Sequence, residues 1–182
     1  MVHVGTALID PQKIFMRIGL VKGMRVADFG CGRTGHFVFT AAKTVTDMGV
    51  VYAIDVIKEV LENIRSRVRI EGFDNVQVVW SDIEIVGKTP IPEGTLDICF
   101  FVNVLSQLKN PSAALTEAGR LLKTGGKIVV VDWLKKIGPL GPAEETMLNP
   151  EKIRNLGERC GLIWGESDST GDYHFYSILN KV

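Results

Sequence analysis

Short apolar runs rich in β-branched residues alternate along this chain with longer stretches of helical period. Such alternation is typical of βαβ units, because a sheet of parallel strands buries its faces against helices. The pattern predicts strands over seven segments: 24–29, 50–55, 75–82, 96–102, 127–133, 162–167 and 173–181. It predicts helices over 11–18, 35–47, 57–71 and 150–160, and one that begins at Pro111 behind an Asn110 cap and stops at glycines 125–126. The predicted fold class is therefore α/β.

Two segments indicate how the strands are arranged. The run LDICFFV, 96–102, has no polar alternation, which suits a central strand that is buried on both faces. The last two strands are separated only by DSTGD, 168–172, so they should form an antiparallel hairpin.

Residues 134–149 are rich in glycine and proline and have little helical period, and we expect a mobile surface loop or lid there.

The size and charge of the chain argue against several classes of function. Its 182 residues fit one domain, predicted over 1–182, which is too short for a separate substrate domain. Lysine plus arginine equal aspartate plus glutamate at 21 each, so no net field favours nucleic acid. The N-terminal MVHVGTALIDPQK is unlike a signal peptide, and no apolar run approaches the ~20 residues that span a bilayer. The three cysteines lack the spacing of a metal site. We expect a cytoplasmic protein without membrane insertion, and the sequence leaves the oligomeric state open.

The segment VADFGCGRTGHF, 26–37, carries glycines spaced G-x-G-x-x-G at Gly30, Gly32 and Gly35. Glycines at such a turn let the backbone reverse tightly and let a ligand approach without a Cβ in the way. Polar residues also end four successive strands, and they are Asp28, Asp55, Ser81 with Asp82, and Asn103. Because ligands of open α/β sheets bind outside the carboxyl ends of the strands, these side chains predict one extended binding site.

Asp28 and Asp55 indicate what kind of ligand this site takes. Asp55 follows Gly35 by 20 residues, where a carboxylate can accept both hydroxyls of a ribose. Asp28 would repel a pyrophosphate at the glycine turn but would attract a ligand that carries ammonium and sulfonium groups. It therefore favours a cationic ligand over a nicotinamide dinucleotide. An alternative role for Asp28 is to accept backbone N–H groups, as turn aspartates often do.

Five segments together resemble the successive motifs of class I S-adenosylmethionine-dependent methyltransferases: VADFGCGRTGHF, VVYAIDV, VVWSDI, LDICFFVNVLSQL and LLKTGGKIVVVDW. The resemblance covers about Lys13 to Trp133 and is greatest to the small-molecule branch with the ubiquinone and menaquinone C-methyltransferases. It implies a Rossmann-like, doubly wound seven-stranded sheet in the order 3-2-1-4-5-7-6, with strand 7 antiparallel. It also implies an enzyme that transfers methyl groups from S-adenosylmethionine.

By the same resemblance, eleven residues are expected to bind S-adenosylmethionine. Gly30 and Gly32 would flank its methionine part, Asp55 would hold the ribose, and Asp82 with Ile83 would contact the adenine. Asn103 would close the pocket on the other side. The full set is Asp28, Phe29, Gly30, Cys31, Gly32, Gly35, Asp55, Val56, Asp82, Ile83 and Asn103.

The reaction needs few protein groups, because a sulfonium methyl is already activated and chiefly requires an acceptor held in line. A general base matters only if the acceptor must lose a proton. His174 is the predicted catalytic residue, although its segment YHFY is more typical of core packing. Other candidate bases are Tyr173, Asp132, Glu144 and Glu145, and candidates for lining the pocket are Gln107, Trp133 and Met147. His36 is expected in the first turn of the helix after the glycines, near the cofactor.

The segment after the fourth strand narrows the choice of acceptor. It reads Asn103-Val104-Leu105, where methyltransferases that act on amide or exocyclic base nitrogens carry Asn or Asp, two prolines and an aromatic residue. The sequence therefore predicts a small-molecule acceptor and no nucleic acid. Two alternatives stay open: a non-catalytic module that binds S-adenosylmethionine, and an NAD(P)-binding oxidoreductase, which the missing Tyr-x-x-x-Lys pair disfavours.

Overall fold

The computed structural model describes residues 8–182, and residues 1–7 of the N-terminal stretch considered above lie outside the described residues. The strands are β1 Arg25–Phe29, β2 Val50–Asp55, β3 Val76–Trp80, β4 Leu96–Val102, β5 Leu122–Trp133, β6 Ile163–Thr170 and β7 His174–Asn180. The α-helices are α1 Pro11–Ile18, α2 His36–Val45, α3 Lys58–Glu71, α4 Pro111–Leu121 and α5 Pro150–Arg159. Short 3-10 turns follow β4 and β5, at Leu105–Gln107 and Glu144–Thr146.

The strands form one sheet in the order β3-β2-β1-β4-β5-β7-β6. Pairs among β1 to β5 are parallel, whereas β7 runs antiparallel to both β5 and β6. The α/β class, the strand order and the reversed last strand are therefore confirmed. The final hairpin is tighter than predicted, because β6 continues to Thr170 and only residues 171–173 connect it to β7.

The core lies on both faces of β4. On one face Phe100 packs against Phe15 of α1 and Phe37 of α2, with ring centroids 5.4 and 5.7 Å away. On the other face Phe101 stacks on Phe29 of β1 with centroids 5.0 Å apart. Burying one such ring stabilises the fold by about 1.5–3 kcal/mol. The central position predicted for LDICFFV is confirmed, since buried side chains cover both faces of β4.

Asn110 and Asp10 begin helices as their sequence contexts predict. The Asn110 side chain accepts a hydrogen bond from the Ala113 amide at 3.1 Å at the start of α4. Asp10 accepts one from the Gln12 amide at 3.0 Å at the start of α1. Each cap satisfies an amide that has no partner within its helix, which stabilises the helix by about 1 kcal/mol.

Two strand boundaries differ from the prediction. β3 ends at Trp80, so residues 81–82 lie in the turn beyond the strand. β5 begins at Leu122, well before the predicted start, because α4 leads directly into a strand residue that pairs with Leu96 of β4. The predicted glycine stop is wrong: Gly125, with φ 79°, lies within β5, near a shift of register between β4 and β5.

Parallel pairing brings the carboxyl ends of β1 to β5 to one edge of the sheet, together with the polar residues that follow them. Within residues 8–182, no helix combines the length and the apolar character that crossing a membrane requires.

Candidate functional site

A cavity of about 520 Å³ opens at this edge of the sheet. Its wall is formed by the turns after β1, β2, β3 and β4, by Trp133 at the end of β5, and by residues 139–142 of the following loop. Pockets of this size hold cofactor-sized ligands. The polar strand ends identified in the sequence therefore do meet around one space.

The glycine turn after β1 is fixed against β2 and β4. The amides of Gly30 and Cys31 donate to the Ile54 carbonyl at 2.8 and 3.0 Å. Gly30 has φ 78°, and a Cβ there would lie 2.6 Å from Val104, so only glycine fits. Gly32 has φ 64°, and a Cβ there would meet no atom within 4 Å, so this part of the turn leaves open space beside the cavity.

Asp28 places a buried carboxylate at the cavity wall. Its side chain is 3% exposed, and its Oδ1 has no hydrogen-bond partner among the described residues. Burial, followed by the nearby Asp55 carboxylate, raises the pKa of Asp28 to about 7. No backbone N–H of residues 8–182 reaches Oδ1, so the alternative of a turn acceptor finds no support at this atom. A buried charge without a partner is costly, which makes this atom suited to a cationic ligand.

Asp55 connects the end of β2 to the glycine turn. Its Oδ2 accepts a hydrogen bond from the Gly32 amide at 3.2 Å, and its Oδ1 accepts one from the Ile57 amide at 3.0 Å. A carboxylate has about four lone-pair sites, so each oxygen keeps capacity to accept from a ligand. The two amides hold the carboxylate in one orientation at the wall.

The wall beyond β3 combines apolar surface with one carboxylate. Ile83 is buried and Val56 is half-exposed, and both line the cavity. The Val56 carbonyl accepts a hydrogen bond from the indole of Trp80 at 2.9 Å, and Asp82 Oδ1 accepts one from the Glu84 amide at 3.0 Å. This part of the wall can therefore contact a flat ring and accept a hydrogen bond from its edge.

The buried Glu117 of α4 holds the loop that carries this wall. Its carboxylate accepts hydrogen bonds from the amides of Gly87 at 2.7 Å and Thr89 at 2.9 Å, and it pairs with Arg120 at 2.7 Å. Burial alone would raise the pKa of Glu117, but the Arg120 guanidinium and the two amides lower it to about 2. The ionised carboxylate fixes residues 87–89 of the loop that follows β3.

Asn103 and His174 meet where β4 ends and β7 begins. Asn103 lines the cavity with a left-handed backbone, φ 54°, which costs a non-glycine residue about 1–3 kcal/mol. Its Nδ2 lies 3.3 Å from His174 Nε2. His174 is fully buried, packs on Trp133 with ring centroids 4.3 Å apart, and does not line the cavity. Burial lowers the pKa of His174 to about 4, so the imidazole is neutral at physiological pH.

The remaining candidate residues are divided between the wall and other places. His36, Gln107 and Trp133 line the cavity, whereas Met147 and the candidate bases Tyr173, Asp132, Glu144 and Glu145 do not. The two glutamates are exposed in the second 3-10 turn. Asp132 is fully buried directly behind a wall residue, Ser106. Within residues 8–182, no group of three or more His, Cys, Asp or Glu side chains could hold a metal ion.

Nine of the eleven residues that the resemblance assigns to cofactor binding line the cavity, namely Asp28, Gly30, Cys31, Gly32, Asp55, Val56, Asp82, Ile83 and Asn103. Phe29 instead packs on Phe101 in the core, because neighbouring residues of a strand point to opposite faces. Gly35 also lies outside the wall. A Cβ at Gly35 would be 2.7 Å from Ile64 and 2.8 Å from Phe39, so this glycine serves the packing of α2.

Ser106 and Leu108 are wall residues that the motif spacing does not reveal. Neither belongs to a glycine turn or to the end of a strand. Both lie in the segment LDICFFVNVLSQL, directly after the central strand, and this position is the signal in the sequence that could have identified them.

Comparisons with known proteins agree with this architecture. The sequence family described as "Methyltransferase domain" matches residues 20–170. A SAM dependent methyltransferase from Aquifex aeolicus superimposes with a TM-score of 0.87 and 30% identity, over 96% of this chain and 91% of its own.

Two curated relatives match shorter parts of the chain. Aklanonic acid methyltransferase DauC from Streptomyces sp. (strain C5) is 30% identical over 73% of this chain and 60% of its own length. Ubiquinone/menaquinone biosynthesis C-methyltransferase UbiE from Shewanella sp. (strain W3-18-1) is 31% identical over 64% of this chain and 45% of its own length. The matched regions therefore span only 60% of the length of DauC and 45% of the length of UbiE.

The family match covers most of the chain, and the Aquifex aeolicus enzyme shares nearly the whole fold. The cavity opens at the glycine turn of a sheet ordered 3-2-1-4-5-7-6. The chain belongs to the class I S-adenosylmethionine-dependent methyltransferases.

Proposed function

We propose that this chain transfers the methyl group of S-adenosylmethionine to a small-molecule acceptor, and that the cavity at the glycine turn binds both. The observation that carries the proposal is the buried carboxylate of Asp28, whose Oδ1 lacks a hydrogen-bond partner in the part of the chain that the structure describes. An ammonium or sulfonium group would offset the cost of that charge. Among the described residues, no lysine or arginine lines the cavity, so no side-chain cation there would offset the repulsion between the Asp28 carboxylate and the pyrophosphate of a dinucleotide.

The wall offers a matching group for each part of the cofactor. Asp55 accepts the ribose hydroxyls through lone pairs that its two backbone donors leave free. Asp82 and Ile83 contact the adenine on the β3 side. Gly32 leaves room for the methionine part, because a Cβ there would meet no atom within 4 Å, whereas Gly30 lets the turn pack closely against Val104.

The chemistry of the cofactor leaves mainly positioning to the protein. S-adenosylmethionine supplies a methyl group on a sulfonium, which needs no covalent activation by a side chain. The protein has to hold the acceptor close and in line, and to keep water away. Asn103, at the boundary between the cofactor residues and the segment after β4, limits where the acceptor can lie.

The rest of the cavity supports a small acceptor. We name its surface the acceptor wall, defined by Ser106, Gln107, Leu108, Trp133 and residues 139–142. The acceptor wall combines an indole, prolines and leucines with uncharged polar groups, which suits an uncharged organic molecule. The names of UbiE and DauC, which refer to ubiquinone or menaquinone and to aklanonic acid, also favour a small molecule.

Calorimetric titration followed by a methyl-transfer screen tests the proposal. S-adenosylmethionine and S-adenosylhomocysteine should bind to the wild-type protein, whereas NAD and NADP should not. S-adenosylmethionine incubated with a panel of small organic hydroxyl, thiol and amine compounds should then give methylated products that mass spectrometry detects. Binding of the cofactor without transfer to any compound, or binding of NAD(P) alone, would contradict the proposal.

A further inference from the structure

Ser106 connects the acceptor wall to a buried acid. Its Oγ donates a hydrogen bond to Asp132 Oδ1 at 3.2 Å. Ser106 belongs to the 3-10 turn after β4, while Asp132 is the residue before Trp133 in β5. The parallel pairing of β4 with β5 brings these two segments side by side. A ligand in contact with the acceptor wall is therefore separated from the acid by one hydroxyl group.

The carboxyl group of Asp132 is left incompletely satisfied. Asp132 is fully buried, its Oδ1 also accepts a hydrogen bond from the Trp133 amide at 2.8 Å, and its Oδ2 has no partner among the described residues. Burial raises the pKa of Asp132 above its ordinary value, although hydrogen bonds from Trp133 and Ser106 act in the opposite direction. A buried acid of this kind accepts a proton more readily than an exposed aspartate does, and Oδ1, which faces the Ser106 hydroxyl, is the atom that would receive it.

We infer that Ser106 and Asp132 form a proton relay, so that the acceptor is a compound whose methylated atom carries a proton, such as a hydroxyl compound. The inference rests on the proposed function. As the new oxygen–carbon bond forms, the acceptor's O–H bond breaks and its proton moves to Ser106 Oγ, while the Ser106 proton moves to Asp132. The electron pair of the broken carbon–sulfur bond stays on sulfur. Ser106 is the catalytic residue that contacts the acceptor, and Asp132 acts through it.

Two further residues of the cavity carry groups that could accept a proton, His36 and Glu84. Glu84 lies on the cofactor side beyond β3 and its Oε1 accepts a hydrogen bond from the Asn110 amide, so His36 is the residue that competes for this role. His36 lines the cavity, and its Nε2 lies 3.0 Å from the Ile9 carbonyl, which leaves Nδ1 as a possible base. The carboxylates of Asp28, Asp55 and Asp82 belong to the proposed cofactor positions. A His36→Gln variant is therefore included, to test whether His36 removes the proton instead of Ser106 and Asp132.

A pair of isosteric acceptors isolates proton removal from the other steps. A phenol must lose its proton during transfer. A thiophenol of similar shape has a lower pKa, so at a pH between the pKa values of the two compounds it is already ionised and needs no base. We expect the ratio of kcat for 4-methylphenol to kcat for 4-methylthiophenol to fall by about 10²-fold in Ser106→Ala and in Asp132→Asn. Ser112→Ala and Asp168→Asn serve as matched controls outside the cavity and should leave the ratio unchanged.

Asp132→Asn keeps an oxygen for the Ser106 and Trp133 donors but cannot take up the proton, so a purely structural role would leave the ratio unaltered. Calorimetry with S-adenosylhomocysteine checks that each variant is folded, and Ser106→Ala provides the test if Asp132→Asn fails to fold.

The outcomes separate the relay from the proposed function. An unchanged ratio in Ser106→Ala, a selective loss in His36→Gln instead, or methylation of the thiol without the phenol overturns the relay and leaves methyl transfer standing. No transfer to either probe, or to any compound of the wider panel, overturns the proposed function and the relay with it.

Discussion

The Nε2 atom of His174 lies 3.3 Å from the side-chain nitrogen of Asn103, so a fully buried imidazole supports a residue of the cavity wall. Because His174 does not reach the cavity, its proposed part in catalysis is to position Asn103 rather than to remove a proton. A neutral imidazole can accept the hydrogen bond that the Asn103 amide donates. Protonation of His174 would remove that acceptor and bury a charge.

The stability of the protein should therefore depend on His174 at acid pH. An unfolded histidine binds a proton near pH 6.5, but burial lowers the pKa of folded His174 to about 4. The wild-type protein thus loses stability as pH falls from about 6.5 towards 4, by up to about 3 kcal/mol. In His174→Gln this component is absent, and urea unfolding should show a flatter dependence on pH. Parallel curves for the two proteins would show that His174 is not responsible.

Asp28→Asn should separate stability from cofactor binding. The pKa of Asp28 is raised to about 7, so the folded protein retains this proton where the unfolded chain has released it, and stability declines as pH rises from about 3.8 to 7. Above about pH 7 the variant should be more stable than the wild type, by up to about 4 kcal/mol. It should also bind S-adenosylmethionine more weakly, because the cation loses its counter-charge. Urea unfolding and calorimetry at neutral and alkaline pH measure the two effects, and a variant that binds as tightly as the wild type would remove Asp28 from the site.

Asp55→Ala should weaken cofactor binding by about 2–3 kcal/mol, because charge-assisted hydrogen bonds to the ribose would be lost. Loss of the bonds from the Gly32 and Ile57 amides would also loosen the glycine turn. Calorimetry with S-adenosylhomocysteine measures the change, and Asp47→Ala, an exposed aspartate outside the cavity, is the matched control. A folded Asp55→Ala variant with wild-type affinity would exclude a role in binding.

The loop 134–149 should act as a mobile cover over the acceptor. Within residues 8–182, the amides of Gly138, Gly141 and Ala143 donate no backbone hydrogen bond, while residues 139–142 lie against the cavity. We expect amides over 138–145 to exchange hydrogen rapidly in the free protein and to slow most when S-adenosylhomocysteine and an acceptor are both bound. Hydrogen exchange followed by mass spectrometry measures this. Strong, equal protection in the free, cofactor-bound and doubly bound states would identify the loop as a rigid part of the scaffold.

Local patterns in the chain were enough to predict the succession of strands and helices along the sequence and to identify the polar residues at the strand ends. Apolar period, caps such as Asn110 and the short final connection depend on neighbours within a few residues. The sequence also predicted which edge of the sheet carries the cavity. Parallel strands bring their carboxyl ends to one edge, and Asp28, Asp55 and Asn103 stand at those ends.

The rest depended on contacts between segments that are distant in the chain. Ser106 and Asp132 are 26 residues apart and Asn103 and His174 are 71 apart, and each pair meets only because β4, β5 and β7 lie side by side. The start of β5 at Leu122 likewise follows from its pairing with Leu96, which overrides the local stop signal of the glycines. Such pairing decides whether a polar residue reaches the cavity or is buried behind its wall. Tertiary packing brings the hydrogen-bond partners together, and contacts of this kind produce no periodic pattern in the sequence.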